Sequence, residues 1–594
     1  MKTASSYGAL AVALALAATL SPELALAAGD QAAGASGALE GAPRPSRADY
    51  PVIAGISART LAWGLAQMHL FLAAFVLSVP IFSICTEFMG VVTRDDRYDV
   101  MSREFMKITM AAYSLTALVG GGLLLALFVF YPHLMGYLLK VFRGQMLIYA
   151  LLFGLESITL YLYFYSWDAL RRGNRKWFHM SIGLVLNTVG LTLMFVANAW
   201  ATFMMSPAGV DAAGAITGTV WEATRNPLWN PLNLHRFLAN IAYGGAIVGA
   251  YSAYMFLAEK KAEVRAHYDW MGYTSNFIAI IGFLPLPFAG YWLMAEIYAY
   301  SQQMGITAMG GILAWLFIIQ AVLIGTIILA MNYYLWCGLM RTDRGAQYAR
   351  YVKYIAVVII GGFLVWVTPH SLILTPGEVQ ALGGTSHKLL GPLGIMPAKN
   401  IAVNLMLVFT FLSFQMFYRS SRTPTVSWAK AGNMVIVALY VVGCLNIVAA
   451  GIYGYITPTV YKVGASVPQV ATTLTIILAA VTIDIFMLRG AKISRVHWGR
   501  MSNRSQYALF VLPVAFTWLM GLMGYIRSSI RTNWHVYTVM KDNSSEAYIP
   551  TIGEAGNTIT VITLMFMAVM VFVFWLSRLG ATRQAEPEGD EVRA

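Results

Sequence analysis

Thr60–Phe82 reads TLAWGLAQMHLFLAAFVLSVPIF. The stretch has no Asp, Glu, Lys or Arg and is long enough to cross the hydrocarbon core of a bilayer, which takes about 20 helical residues. One imidazole, His69, interrupts it. A polar ring at that depth is costly and needs a partner. Three partners fit: a hydrogen-bond acceptor on a neighbouring helix, a proton path, or a metal.

The rest of the chain extends the same reading. Of its 594 residues 58% are hydrophobic and only 11% charged, against roughly 25% charged in soluble domains. Apolar runs near 60–90, 108–131, 144–166, 178–204, 237–258, 273–299, 310–336, 354–369, 400–418, 432–455, 467–488, 506–526 and 559–577 predict an all-α, polytopic transmembrane bundle of about 13 spans. Residues 1–28 carry Lys2, an apolar run and LALAAGD, the pattern of a secretory signal peptide. Retained, that segment would be a fourteenth span. Residues 29–58, rich in Gly, Ala and Pro, read as a flexible periplasmic arm.

The net charge of +13 is topological. Loops after odd-numbered spans, with the tail, hold 26 Lys and Arg, and loops after even-numbered spans hold 10. The positive-inside rule then places the C-terminus, with the tail 581–594, in the cytoplasm. A bacterial inner membrane is the expected location, and nucleic acid is excluded as a partner. Cys85, Cys337 and Cys444 form no CxxC or CxxCH, so neither a zinc site nor covalent c-type haem is expected in this chain.

Several groups could carry chemistry. His69 lies deep in a span, whereas His179, His235, His133 and His370 sit near span ends, His387 lies in an outer loop, and His267 and His497 lie in basic loops where solvation is expected. Glu156 falls in mid-span within FGLESITLYLYFY, Glu296 late in the span that FLPLPFAG (Pro285 and Pro287) breaks, Glu87 at the inner end of the first span, and Asp484 beside Arg489. An intramembrane carboxylate marks a proton relay or a counter-charge. Most methionines fill the core, but one such as Met406 can be an axial haem ligand. The glycine run Gly120–Gly122 allows close helix approach. These groups suit a haem protein and a transporter equally.

A resemblance separates the two. GLAQMHLFLAAFVLSVP, FGLES, SWDALRRGNRKWFHMSIGLVLNTVGLTLMFVANAW and NPLNLHRFLANIAYGG resemble the first five spans of subunit I of cytochrome bd oxidases, the quinol-oxidising, oxygen-reducing membrane enzymes. PAKNIAVNLMLVFTF and MGYIRSSIRTNWHVY resemble later segments of that subunit more weakly. The resemblance implies that His69 ligates a high-spin haem, that Glu156 lies on a proton pathway and that Met406 ligates a low-spin haem; Glu296 is a further candidate for feeding protons, and Arg531 and Trp534, on the family's signature segment, are expected to hold haem propionates or to shape the outer pocket. It implies haem of b-type, with d-type as a further option, and oxygen, the lipid bilayer, a donor and a second membrane subunit or a homodimer as partners.

The departures are specific. The family's low-spin haem histidine falls on Ala239, one helical turn after His235, which becomes the candidate ligand. Two family glutamates fall on Ile148 and Ser528. The hydrophilic quinol loop after the sixth span is missing, and AYSQQMGITAMGG stands there, so a periplasmic cytochrome c becomes a donor option beside quinol. The expected organisation is 59–260 as haem-binding core, 261–394 as additional helices and 395–580 as C-terminal helices. The expected activity is terminal oxygen reduction. The alternatives are a haem electron-transfer subunit that does not reduce oxygen and a cofactor-free transporter.

Overall fold

The computed structural model describes residues 50–309, 311–368, 380–381, 383, 393–457, 459–542 and 552–582. The signal peptide, most of the arm, His370, His387 and the tail beyond Thr582 lie outside the described residues. Thirteen helical segments among the described residues are long and apolar enough to cross a membrane, and they coincide with the thirteen apolar runs of the sequence. The protein is therefore all-helical and polytopic.

The principal helices are α1 (Ala58–Thr93), α2 (Asp96–Phe130), α3 (Pro132–Tyr165), α4 (Arg175–Phe203), α5 (Trp229–Ala258), α6 (Ala262–Phe283), α7 (Leu286–Tyr300), α8 (Gly311–Gly338), α9 (Gly345–Trp366), α10 (Met396–Ser420), α11 (Ala429–Ile456), α12 (Thr459–Met487), α13 (Asn503–Ser529) and α14 (Ile552–Thr582). Pro285 and Pro287 split one span into α6 and α7, because proline supplies no N–H to the helical ladder. Local signals set the ends. Ser57 Oγ accepts from Thr60 N at 3.2 Å at the start of α1. Arg94 closes α1 in the left-handed region (φ 56°), and Asp95 caps α2 by accepting from Arg97 N, so two long helices join through two residues. Three short antiparallel ribbons link helix ends: β1 (Val52–Ile53) with β2 (Ile56–Ser57), β3 (Arg422–Thr423) with β4 (Lys492–Ile493), and β5 (Trp534–Val536) with β6 (Met540–Lys541).

The chain forms two compact units. The first comprises Met1–Gly244, Ala289–Gly305 and Met523–Ala594. In it α1 and α2 pack along their length, with Phe82 edge-on to Phe105 at 5.2 Å and Phe71 edge-on to Phe566 of α14 at 5.4 Å. Asn187 of α4 donates to the Pro80 carbonyl of α1 at 3.1 Å.

The second unit comprises Gly245–Phe288 and Ile306–Leu522. Its α9 packs on α10, and α11 on α12. Arg341 is fully buried there, 2.5 Å from Asp269, inside a cage of Trp498, Phe417, Tyr334 and Tyr273 with ring centroids 4.8–5.8 Å from its guanidinium carbon. Asp269 also accepts from Gly499 N at 2.8 Å. Asp484 is salt-bridged: its cation is Arg419 of α10, joined by Gln415 at 2.7 Å, while Arg489, its neighbour in sequence, is exposed. Asp484 is buried at 8% exposure, and an inward-facing carboxylate pairs with the helix it packs against rather than with its sequence neighbour. The two histidines of the basic loops are likewise engaged. His497 lies 3.2 Å from Asp343, and His267 packs edge-on to Tyr268.

Candidate functional site

The candidate site grows from α1 and lies within the first unit. His69 Nδ1 is 3.1 Å from the Thr116 carbonyl of α2. A carbonyl only accepts, so Nδ1 carries the hydrogen and Nε2 carries the lone pair. Nε2 meets no hydrogen-bond partner among the described residues. This is the arrangement of a metal-binding histidine, whose far nitrogen is commonly fixed by a carbonyl or carboxylate. Gly120 makes the approach possible: a Cβ there would fall 2.7 Å from His69 Cε1. Gly121 and Gly122 face open space, so only the first residue of the glycine run serves the contact.

His235 and Arg236 enter from the start of α5. His235 Nδ1 is buried without a partner, and Gly290 of α7 lies beside the ring, where a Cβ would come within 3.7 Å. Arg236 bonds to Asn198 Oδ1, and Asn198 Nδ2 donates to Asn233 at 2.7 Å. The charge of Arg236 reaches both His69 and Arg527. Arg527, at the end of α13, donates to the Ala201 carbonyl at 2.5 Å. Arg531 follows one turn later and donates to the His535 carbonyl at 2.6 Å, while its Nε is buried without a partner. Burial, then the neighbouring charges of Arg527 and Arg59, push the Arg531 guanidinium down to about 9. Among the described residues Arg236, Arg527 and Arg531 form no ion pair. Buried cations without counter-charge are unfavourable, and they suit an anionic ligand. Trp534 is half-buried in β5, with the Lys541 ammonium 5.9 Å from its ring.

Glu156 is buried at 6% exposure on α3, and its carboxylate points at Gly190 of α4, where a Cβ would meet Oε1 at 3.1 Å. Tyr113 and Tyr149 lie close enough for the Glu156 charge to act on them, and Tyr113 bonds to Ser157. Glu296 is placed differently: Trp292 of its own helix donates to it at 3.1 Å on an exposed face, and no hydrogen bond links it to Glu156 among the described residues.

Met406 is fully buried in the second unit, and its side chain lies against Gly362 of α9. Ile148 is 49% exposed, and Ser528 donates to the Gly524 carbonyl of its own helix, so neither takes up a carboxylate's role. Sequence reasoning missed Arg527, Tyr113 and Tyr149. For Arg527 the signal was present: arginines at 527 and 531, spaced i, i+4 on one helix face at a span end.

The fold and site define a polytopic membrane protein with an intramembrane centre of histidines, arginines and one buried carboxylate. Residues 58–332 match the family model described as cytochrome bd terminal oxidase subunit I, and over that stretch the chain is similar to this family. It is 25% identical over 213 residues to the putative cytochrome bd menaquinol oxidase subunit I of Bacillus subtilis (strain 168), a match covering 35% of this chain and 46% of that protein. The chain thus spans about half the length of the curated relative it matches. The structure of bd oxidase from Geobacillus thermodenitrificans aligns over 89% of this chain and 98% of that one, with a TM-score of 0.46 and 12% identity.

Haem is the cofactor this family implies, and the residues present fit it. The His69 lone pair, the orphaned His235 Nδ1 and the unpaired Arg236, Arg527 and Arg531 offer ligands for iron and cations for propionates. No group of three or more His, Cys, Asp or Glu that could hold a bare metal ion occurs among the described residues.

Proposed function

We propose that this protein is a haem-bearing membrane oxidoreductase that reduces oxygen to water. The observation that carries the reading is His69, whose Nδ1 is committed to Thr116 so that Nε2 is free to bind iron. His69 would hold one haem. His235 is the candidate ligand of another in the same unit, Met406 is a candidate ligand in the second unit, and Arg531, Arg527, Arg236 and Trp534 would hold propionates. Bound haem, of b-type or d-type, supplies the electron-accepting and oxygen-binding centre.

The chain's own residues supply the rest. Arg236, braced by Asn198, and Arg531, braced by the His535 carbonyl, orient carboxylates. Glu156, buried beside Gly190 with Tyr113 and Tyr149 near it, holds and releases a proton. Electrons arrive from quinol, as in the name of the Bacillus relative, or from a periplasmic cytochrome c, the option opened by AYSQQMGITAMGG in place of a hydrophilic loop. A second membrane subunit or a second copy completes the assembly. Positive-inside counting supports an outer N-terminus and a cytoplasmic C-terminus in a bacterial inner membrane.

A reduced-minus-oxidised absorption spectrum of the purified protein tests the reading first. Haem bands lost in His69→Ala support it, and a spectrum without haem bands overturns it. Ile148 and Ser528, where the family has glutamates, favour a second reading, a haem electron relay without oxygen reduction. Sustained oxygen consumption with reduced cytochrome c or quinol, abolished by His69→Ala, excludes that relay.

A further inference from the structure

Between the end of α4 and the start of α5 runs a loop, residues 204–228, that the proposed chemistry leaves unused. Positive-inside counting puts it on the outer face. It is built as a rigid platform. Asp211 Oδ1 accepts from Ala213 N and Ala215 N at 2.9 and 2.8 Å, and Val210 bridges to Ile216. Thr219 and Glu222 cap a helical turn, Val220–Thr224, reciprocally, so its first N–H groups are satisfied. Asn226, buried, ties the loop to Ala199 and Thr202 of α4. The Tyr137 hydroxyl of α3 donates to the Gly214 carbonyl at 3.0 Å.

The top of this platform is apolar. Ile216, Val220 and Trp221 are 44%, 42% and 58% exposed. Around them stand Arg225, whose guanidinium carbon lies 5.6 Å from the Trp221 ring centroid, and the exposed carboxylates of Asp211 and Glu222. An aromatic anchor inside a thin polar rim is the make-up of a protein-binding hot spot.

Below Trp221 the rings continue inward. Trp221 meets Trp229 edge-on with centroids 6.2 Å apart. Trp229, half-buried at the start of α5, meets Phe195 of α4 at 6.3 Å and donates to its carbonyl at 2.9 Å. Trp229, Asn233 and Arg236 stand at i, i+4 and i+7, on one face of α5. Asn233 accepts from Asn198, and Asn198 accepts from Arg236. From Trp229 to Arg236 is about 10 Å along the helix. A packed line of rings and hydrogen-bonded side chains thus joins the exposed indole to a guanidinium assigned to a haem propionate.

The inward line decides what covers the platform. Lipid headgroups would engage an exposed indole without needing it, whereas a redox partner would use it. The segment AYSQQMGITAMGG, which stands where the quinol loop is missing, begins against the same loop: the Tyr300 hydroxyl donates to the Pro207 carbonyl at 3.5 Å.

We propose that the Trp221 platform is the docking face for a soluble cytochrome c and the entry for its electrons. The proposal rests on the oxidoreductase reading and selects the donor within it. In each encounter one electron leaves the ferrous haem of the carrier, which becomes ferric, and crosses the Trp221–Trp229 line to the acceptor beside Arg236, which is reduced by one electron. No bond forms or breaks, no proton moves, and neither indole is oxidised. Because the centre of the contact is apolar and its rim holds two carboxylates against one guanidinium, binding depends little on salt.

The test uses soluble cytochrome c and the full haem-loaded chain in lipid nanodiscs. Binding of ferric cytochrome c, read by thermophoresis, is expected to weaken about thirtyfold in Trp221→Ser, the scale of a hot-spot aromatic, and to change little between low and physiological salt. Stopped-flow reduction by sub-saturating ferrous cytochrome c is expected to slow in parallel, while the dithionite-reduced haem difference spectrum is unchanged. Val220→Glu, which puts a charge on the exposed top, stands in should Trp221→Ser fail to fold. Binding unchanged in the variants overturns the proposal. So does fluorescence quenching by brominated lipid that Trp221→Phe removes, which would put headgroups on the platform. A wild type reduced by a water-soluble quinol but neither bound nor reduced by cytochrome c also overturns it, and the oxidoreductase reading then stands with quinol as donor. A wild type without haem bands overturns the oxidoreductase reading and the proposal with it.

Discussion

Gly120 of α2 lies directly against the imidazole of His69 on α1: a Cβ there would fall 2.7 Å from Cε1 and 2.9 Å from Nδ1. Overpacking at so close a contact costs about 1–3 kcal/mol, and the movable partner is the ring itself. Gly120→Ala is therefore expected to lower haem occupancy about tenfold or more at limiting haem, by the same scale. Gly121→Ala, with nothing within 4 Å, is expected to leave it unchanged. Haem-to-protein ratio by absorption after purification checks both.

Among the described residues His69 Nε2 and His235 Nδ1 meet no hydrogen-bond partner. His69→Ala and His235→Ala are expected to remove different haem bands from the reduced-minus-oxidised spectrum. A common loss of all bands in both histidine variants contradicts separate ligation.

Arg531 is expected to show a trade between stability and cofactor binding. Its folded value of about 9 lies below the ordinary guanidinium value, so above about 9 the unfolded chain binds more protons and this residue's contribution to stability rises with pH. Below about 9 both states are charged and its penalty is full and constant. Replacing an uncompensated buried cation with an apolar residue can gain about 1–4 kcal/mol. Arg531→Met is expected to raise the unfolding temperature of haem-free protein by an amount that does not change between about pH 6 and 8, and to weaken haem retention. Thermal unfolding in detergent, with and without haem, checks the sign of each.

Glu156→Gln keeps the shape of a buried side chain and removes its proton. Oxygen consumption is expected to fall about a hundredfold or more, with the haem difference spectrum preserved. Glu296→Gln, on an exposed face beside Trp292, is expected to change turnover less than twofold, on the order of a dispensable surface contact. Oxygen-electrode rates on matched haem concentrations compare the two.

In the second unit Asp269→Asn leaves Arg341 caged by four rings without its counter-charge, and breaking a buried pair costs about 3–5 kcal/mol. The double variant Asp269→Asn with Arg341→Met is expected to recover part of that loss. Thermal unfolding of the wild type, Asp269→Asn, Arg341→Met and the double variant measures the coupling.

The thirteen spans were legible because each is an uninterrupted apolar run, and the break at Pro285 because proline has no N–H to give. His69 was legible because a lone imidazole in such a run is conspicuous. The partners were not. Glu87 meets His179 across 92 residues and Asp484 meets Arg419 across 65, and those meetings depend on which faces of the helices turn toward each other. A single membrane sequence carries little of that information, since lipid-facing and protein-facing positions are both apolar. Hence nothing in the sequence around Asp484 points to Arg419, although α10 supplies its cation.

The two-residue link at Arg94 and Asp95 bears on the order of assembly. It folds α1 back on α2 as a helical hairpin, and the contact between His69 and Thr116 lies wholly inside that hairpin. Chains emerge from the ribosome N-terminus first, at about 5–20 residues per second. The nitrogen that would bind iron is thus selected while most of the protein is still unmade, and an early-inserted hairpin carries a committed imidazole that later helices only need to enclose.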